Sequence, residues 1–229
     1  MSWHNVLLTD SGLYDPFDLN RPLRPIVDRF AAMLGKPFSD ARVLFIPAAV
    51  CDDEGWAMAR ILRRELLWLG CVSQNITDYM LDGSKSEDEV MTYDVMFFTG
   101  GWDTHLLKCI NRIGFDRIVR KFVAANKVYI GVSAGTIVAT PGIRGCFGAP
   151  EDPESKSMGL IHAYVDVHCN LKPKMEPKIL PLPYIALQTH QALAVSADGY
   201  ELLEDNSARH IPSSSEHLII GENIWKLPN

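Results

Sequence analysis

Apolar runs alternate with helical periods over the first 132 residues, and this alternation limits the possible folds more than any other feature. The runs within 4–9, 41–49 and 128–132 are continuous, which is typical of strands buried on both faces. The segment 115–126 instead carries apolar residues at i, i+3, i+4, i+7 and i+8, the spacing of an amphipathic helix. Because a βαβα order favours crossover connections, the sequence predicts an α/β fold. Its twisted sheet should be mostly parallel, with helices on both faces.

The pattern changes after residue 140. Residues 141–157 read PGIRGCFGAPEDPESKS, a stretch rich in Gly, Pro, Ser and charge, so we predict an exposed, mobile loop there. The segments that follow are shorter and strand-like, and we predict that they pair antiparallel at the edge of the sheet. No linker-like stretch interrupts the chain, so we expect residues 1–229 to form one α/β domain.

Charge and composition narrow the range of partners. The 229 residues have a net charge of −6 and a pI near 5.6, which argues against a nucleic-acid or membrane-surface partner. The sequence shows neither a signal peptide nor an apolar run of about 20 residues, so we expect a cytoplasmic protein. Five scattered cysteines without a C-x-x-C pair indicate reduced thiols. We expect no metal, no other cofactor, and a monomer or homodimer.

Ser133, with a glycine two positions before it and another two positions after it, lies at the end of the third apolar run. The stretch GVSAG, Gly131 to Gly135, matches the G-x-S-x-G nucleophile elbow, in which a tight strand-to-helix turn projects the serine hydroxyl above the sheet. The amide of Ala134 and the dipole of the following helix would favour negative charge there. The alternative is a turn of small residues without chemistry. The strand before Ser133 and the helix after it favour the elbow.

Two adjacent glycines follow another apolar run. In FFTGGWDTHLL, residues 97–107, a strand ends at Gly100-Gly101 and a helix begins near Asp103. Adjacent glycines allow backbone amides to approach a ligand closely, so Gly101 is a candidate oxyanion donor facing Ala134. The alternative is a plain turn between strand and helix. Considered alone, this stretch favours that alternative.

A serine hydroxyl needs a general base, and the chain has seven histidines. His162 and His168 flank one strand-like segment, HAYVDVH, and His190 lies in LQTHQAL. Spacing alone does not choose among them, and a lone histidine near a strand end is more often structural.

Taken together, these stretches resemble peptidase E, the aspartyl dipeptidase family of serine peptidases, whose fold is like that of class I glutamine amidotransferases. The resemblance rests on LLTDSG, FFTGGWDTHLL, GVSAGTIV and GLIHAYVDVH. It implies that Ser133 is the nucleophile and His168 the base. It also implies that the backbone amides of Gly101 and Ala134 form the oxyanion hole.

The third member of the family's triad is a Glu or Asp in a segment resembling A-L-x-[Glu/Asp]-x-x-A-L. Here residues 186–193 read ALQTHQAL, with Thr189 at the position of the acid and His190 beside it. We therefore predict Thr189 or His190 as a neutral partner of His168. Asp166, two residues before His168 on the same strand face, is the second choice.

The expected protein is thus a single hydrolytic domain with serine peptidase activity. The resemblance implies short peptides with an N-terminal aspartate as substrates, and no cofactor. One alternative is another hydrolase on the same scaffold, such as a cyanophycinase-like enzyme that cleaves aspartyl–arginine conjugates. The other is a homologue that binds or senses a ligand because it has lost the catalytic acid.

Overall fold

The structure, a computed structural model, describes residues 5–143, 156–169, 182–196, 199–204, 207–212, 218–220 and 223–225. The strands within these residues are β1 (Val6–Thr9), β2 (Tyr14–Asp15), β3 (Asp18–Pro22), β4 (Val43–Ile46), β5 (Ile76–Asp78), β6 (Val95–Phe98), β7 (Val128–Val132), β8 (Tyr164–Asp166), β9 (Tyr184–Ala186), β10 (Ala192–Ser196), β11 (Gly199–Glu204), β12 (Ser207–Pro212), β13 (Leu218–Ile220) and β14 (Asn223–Trp225). The α-helices are α1 (Arg24–Leu34), α2 (Asp53–Trp68), α3 (Glu87–Val90), α4 (Asp103–Ile113), α5 (Phe115–Ala124) and α6 (Ala134–Ile137).

The larger sheet has β1 and β7 near its centre. Its strand order is β12-β11-β10-β1-β7-β6-β4-β5, and β1, β7, β6, β4 and β5 run parallel to one another. Strands β10, β11 and β12 extend it antiparallel on the β1 side. The register pairs Thr9 of β1 with Val132 of β7, so the residues that follow these two strands emerge side by side.

Helices cover both faces of this sheet, as the sequence predicts. Alternate side chains of a strand point to opposite faces. Leu7 of β1 therefore packs in a core with α1 and α2, whereas Leu8 packs in a second core with α4 and α5. Continuous apolar strands thus serve two separate cores, which explains why their sequences do not alternate.

The helix boundaries follow from local chemistry. Asp52 caps α2, because its side chain accepts a hydrogen bond from the Gly55 amide at 2.8 Å. A proline lies in the first turn of α1, where its missing N–H is not needed. The helix after Ser133 is α6, which is only four residues long.

A second sheet lies beside the first, with the order β14-β13-β9-β8. Here the prediction of antiparallel pairing is wrong for part of the C-terminal region, since β8, β9 and β13 run parallel. Val165 of β8 and Ile185 of β9 pack in the same core as Leu8 of β1. The second sheet is therefore joined to the first through a shared hydrophobic core, and it brings the end of β8 towards the end of β1.

The two ends of the predicted loop 141–157 lie together. Gly142 bridges Lys156, and the Ser157 amide donates to the Pro141 carbonyl at 3.1 Å. The middle of this loop, 144–155, lies outside the described residues, and so does the predicted exposure and mobility there. Among the residues that the structure describes, no helix is long and apolar enough to span a membrane.

Candidate active site

Ser133 occupies a tight turn between β7 and α6. Its backbone has φ 49° and ψ −106°, a conformation that a residue other than glycine rarely adopts. Both flanking glycines are required by space: a Cβ on Gly131 would lie 2.5 Å from the Gly135 carbonyl oxygen, and one on Gly135 would lie 2.6 Å from that of Phe98. The turn therefore has the strain and the close packing of a nucleophile elbow.

His168 lies against this serine. Its Nε2 is 2.9 Å from Ser133 Oγ, which is hydrogen-bond distance. His168 comes two residues after the end of β8 and has a positive φ of 58°. The side chain is partly exposed, so the ring of His168 can be reached from solvent.

The other ring nitrogen of His168 faces Asp10, the residue after β1. Nδ1 lies 3.1 Å from Asp10 Oδ2, and the His168 backbone amide donates to Asp10 Oδ1 at 2.5 Å. Asp10 is fully buried. A buried carboxylate in this position fixes the ring so that Nε2 can accept the serine proton, and it stabilises the imidazolium that results.

This arrangement corrects the predicted third member. The group that faces His168 Nδ1 is the Asp10 carboxylate, whereas the sequence predicts the neutral Thr189 or His190 there. His190 instead places its Nε2 2.9 Å from Asp15 Oδ1. The second choice, Asp166, accepts hydrogen bonds from the Val167 amide and, at 2.7 Å, from the Tyr184 hydroxyl.

The sequence does contain a signal for Asp10. It ends the first apolar run, in the stretch LLTDSG, and the carboxyl ends of parallel neighbours meet at one edge of a sheet. What the sequence does not show is that β1 is the direct neighbour of β7. Without that adjacency, an aspartate 123 positions before Ser133 (133 − 10) has no reason to be chosen.

The two predicted oxyanion donors flank the serine. Gly100 lies close to it, since a Cβ there would be 3.7 Å from Ser133 Oγ. Gly101 has φ 137°, and a Cβ on it would overlap the Ala49 carbonyl, so only glycine fits. Within the described part of the chain, the amides of Gly101 and Ala134 donate to no backbone carbonyl. Because α6 is so short, the local amides rather than a helix dipole would stabilise an oxyanion.

A cluster around Asp15 borders the site on the β1 side. The carboxylate accepts hydrogen bonds from the Phe17 amide at 2.8 Å, from Arg21 Nε at 2.9 Å and from His190. Burial alone would raise the pKa of Asp15, but these hydrogen bonds outweigh it and hold the pKa well below its usual range. The cluster joins the β2–β3 hairpin to the turn that carries His190.

That turn lies directly beside the candidate triad. The Gln191 carbonyl accepts from the Asp10 amide at 3.1 Å, and the Leu187 carbonyl accepts from the Cys169 amide at 3.0 Å. His190 has a positive φ of 72°, as Ser133 and His168 do. Strained backbone of this kind is concentrated at functional sites. His190 therefore lies at the wall of the site, with its ring hydrogen-bonded to Asp15 and not, as predicted, to His168.

A buried glutamate holds the segment that follows Asp10. Glu65 of α2 is 2% exposed, and its Oε2 accepts a hydrogen bond from the Leu13 amide at 2.8 Å. Burial raises the pKa of Glu65 to about 8 despite hydrogen bonds from the amides of Leu13 and Tyr14. Gly12 is required beside it, since a Cβ there would lie 2.8 Å from Oε2.

Over the residues described, no group of three or more His, Cys, Asp or Glu is arranged to hold a metal ion.

The fold and this site define a class of protein: an α/β fold with a mostly parallel sheet, in which a serine, a histidine and a carboxylate meet where the central strands β1 and β7 and the strand β8 end. The chain belongs to peptidase family S51, whose sequence model matches residues 7–206.

Several relatives are similar to this chain. Over 184 residues it is 24% identical to a Pasteurella multocida protein named uncharacterized peptidase PM1590, covering 75% of this chain and 88% of that protein. Over 130 residues it is 28% identical to the peptidase E of Streptomyces coelicolor, covering 56% of this chain and 51% of that protein. The match to uncharacterized peptidase Lmo0363 of Listeria monocytogenes also spans only about half of that relative, 49%, at 29% identity over 44% of this chain.

Solved structures show the same fold. A peptidase from an acI-B1 Actinobacterium superposes with a TM-score of 0.61 at 15% identity, over 93% of this chain and 96% of its own. A Listeria monocytogenes EGD-e protein described as a candidate peptidase E also gives a TM-score of 0.61, at 19% identity, over 87% of this chain and 97% of its own. The predicted family and the α/β fold are both confirmed.

Proposed function

We propose that this protein is a serine-type peptidase that hydrolyses short peptides with a free amino terminus. The observation that carries the proposal is the hydrogen-bonded row Asp10–His168–Ser133, with distances of 3.1 Å and 2.9 Å. The row joins a nucleophile to a base and the base to a carboxylate, which is the arrangement of a catalytic triad. Membership of peptidase family S51 supports peptide bonds as the target.

The geometry suits acyl transfer. Ser133 Oγ attacks the carbonyl carbon of the scissile bond while His168 Nε2 takes the hydroxyl proton. The negative charge that develops on the carbonyl oxygen is stabilised by the amides of Gly101 and Ala134. His168 then gives its proton to the leaving amine as the C–N bond breaks. Water, deprotonated by His168, attacks the acyl-serine; the C–O bond to Ser133 then breaks, the acid is released, and His168 returns the proton to Ser133 Oγ.

The contact between Asp10 and His168 removes the main argument for a protein that binds a ligand without catalysis. That alternative depended on the absence of an acid at Thr189, whereas Asp10 supplies a buried carboxylate to the same ring nitrogen. No contact among the described residues specifically favours a cyanophycinase-like hydrolase. A peptidase is therefore the function that the site supports best.

Labelling with a fluorophosphonate tests this proposal, because the reagent reacts only with an activated serine. We expect the wild type to be labelled and to hydrolyse dipeptides, and we expect Ser133→Ala to lose both properties with an unchanged melting temperature. Ser84→Ala, at an exposed turn, is the matched control and should behave as the wild type. Labelling that persists in Ser133→Ala would overturn the assignment.

A further inference from the structure

Two aromatic side chains are far more exposed than any other large hydrophobic residue in the described part of the chain. Phe17 is 77% exposed and Trp102 is 60% exposed, whereas the other five residues of this kind lie between 38% and 47%. Trp102 follows β6, which ends at the edge of the sheet where Ser133 lies, whereas Phe17 lies in the turn between β2 and β3. The ring of Phe17 contacts His190, which precedes β10 on the β1 side of β7, whereas Trp102 lies on the β6 side, so the strand order places the two residues on opposite sides of β7.

Trp102 is held in place by its backbone although its ring is exposed. Its amide donates to the Ala49 carbonyl at 2.8 Å, and its own carbonyl accepts from the Leu106 amide in the first turn of α4. The preceding glycines lie between Ala49 and Ser133, so the position of Trp102 relative to the nucleophile is fixed. An exposed indole on a rigid support beside a nucleophile costs little ordering entropy when it packs against a ligand.

Phe17 is fixed on the other side by the Asp15 cluster. Its amide donates to Asp15, and its ring meets the His190 ring edge-on, with the ring centroids 6.1 Å apart. His190 in turn precedes Gln191, whose carbonyl accepts the Asp10 amide. A continuous chain of contacts therefore runs from Phe17 to the carboxylate that faces His168.

The charged residues next to Phe17 do not favour the binding of an acidic substrate side chain. Arg21, the basic residue nearest to Phe17 in the sequence, has its guanidinium on the Asp15 carboxylate at 2.5 Å. The positive charge of Arg21 is thus offset by the negative charge of Asp15 at close range. The exposed side chains of Phe17 and Trp102 are both aromatic, and aromatic surface gains most by covering apolar groups.

We propose that Phe17 and Trp102 form two apolar subsites, one on each side of Ser133. In this arrangement the substrates are short peptides with large apolar or aromatic side chains at the two residues flanking the scissile bond. The proposal rests on the proposed peptidase function and adds the substrate class. It differs from the N-terminal aspartate that the family resemblance implies.

Four dipeptides test it: Phe-Ala, Ala-Phe, Ala-Ala and Asp-Ala, each compared by kcat/KM. We expect both phenylalanine peptides to exceed Ala-Ala and Asp-Ala by roughly tenfold, the range of one aromatic contact with its buried area. Trp102→Ala should bring one of the two phenylalanine peptides down to the level of Ala-Ala, and Phe17→Ala should do the same to the other. Trp102→Phe, which keeps a ring, should retain most of the preference.

Val72→Ala is the matched control, because Val72 is an exposed apolar residue before β5, at the opposite edge of the sheet. It should leave the ratios between the four peptides unchanged. Preference of the wild type for Asp-Ala would overturn the proposal. So would ratios that stay the same in both aromatic variants, even if all rates fall together.

A second readout separates this proposal from the proposed function. Diphenyl phosphonate analogues of phenylalanine and aspartate form a bond from phosphorus to Ser133 Oγ and release phenol, so inactivation rates report side-chain preference without turnover. Faster inactivation by the phenylalanine analogue supports the subsites, and equal or reversed rates refute them. Failure of the simple fluorophosphonate to label Ser133 would instead refute the peptidase assignment itself.

Discussion

Asp10 makes two contacts with His168 that need two acceptor oxygens. One oxygen faces Nδ1 of the ring, and the other accepts the backbone amide at 2.5 Å, which helps to hold the positive φ of His168. A carboxylate accepts both hydrogen bonds, whereas an amide has only one oxygen. In the proposed triad, Asp10 is therefore a positioning residue that would set both the ring tautomer and the backbone of His168.

Asp10→Asn tests this role. If the amide oxygen stays on the His168 backbone, the NH₂ group faces Nδ1 and favours the tautomer with a proton on Nε2, which cannot accept from Ser133. By analogy with other Ser-His-Asp enzymes, we expect kcat to fall roughly 10³- to 10⁴-fold. The KM should change little, because Asp10 is buried and does not reach the substrate.

Asp166→Asn provides the control for Asp10→Asn. Asp166 hydrogen-bonds to Tyr184 and not to His168, so this substitution should leave kcat near the wild-type value. The opposite result, with Asp166→Asn inactive and Asp10→Asn active, would mean that Asp166 of β8 is the acid of the triad. Steady-state kinetics on one good dipeptide substrate distinguishes the two outcomes.

At the scale of elements, the turn after β6 shows how closely two strand ends are packed. Gly101 combines a positive φ with a backbone so near Ala49 that a side chain has no space. Gly101→Ala should therefore destabilise the protein by roughly 2–4 kcal/mol, since both strain and overlap are involved. The activity of the folded fraction should fall as well, because the displaced amide no longer faces the oxyanion.

Gly35→Ala is the matched substitution. Gly35 also has a positive φ, 66°, but a Cβ there would meet nothing within 4 Å. It should cost only about 1–2 kcal/mol, the strain of the left-handed conformation alone, with no change in kcat. Urea denaturation and kinetics on the two variants check the pair. Equal losses of stability would show that the Ala49 contact contributes nothing.

The elements that the sequence predicts well are those with a local signal. The apolar runs of β1, β4 and β7 and the helical period of α5 depend on neighbours within a few positions, and the structure confirms them. The pairing of β8 with β9 and the contact of Asp10 with His168 have no such signal. Asp10 and His168 are 158 positions apart and meet only because strands distant in sequence become neighbours.

At the scale of the whole molecule, the core beside α1 and α2 keeps the carboxyl group of Glu65 from water. Glu65 falls on the apolar side of α2 in the sequence, and the structure buries it against the segment after Asp10. A buried carboxyl favours its neutral form, so burial raises its pKa from 4.5 to about 8. Global stability must then depend on pH through this residue.

The sign of this dependence follows from proton linkage. Between pH 4.5 and 8 the folded protein keeps the Glu65 proton while the unfolded chain has lost it, so the folded state binds more protons and stability falls as pH rises. The contribution is fully present below pH 4.5 and is lost by the time the pH passes about 8.

Glu65→Gln removes the titrating group but keeps an acceptor for the Leu13 amide. We expect the stability of the wild type relative to this variant to decline by roughly a few kcal/mol from pH 5 to 8. Urea denaturation at several pH values measures it, and Glu54→Gln, an exposed position on the same helix, should show no such decline. Parallel curves for the wild type and Glu65→Gln would mean that Glu65 is ionised in the folded protein at neutral pH.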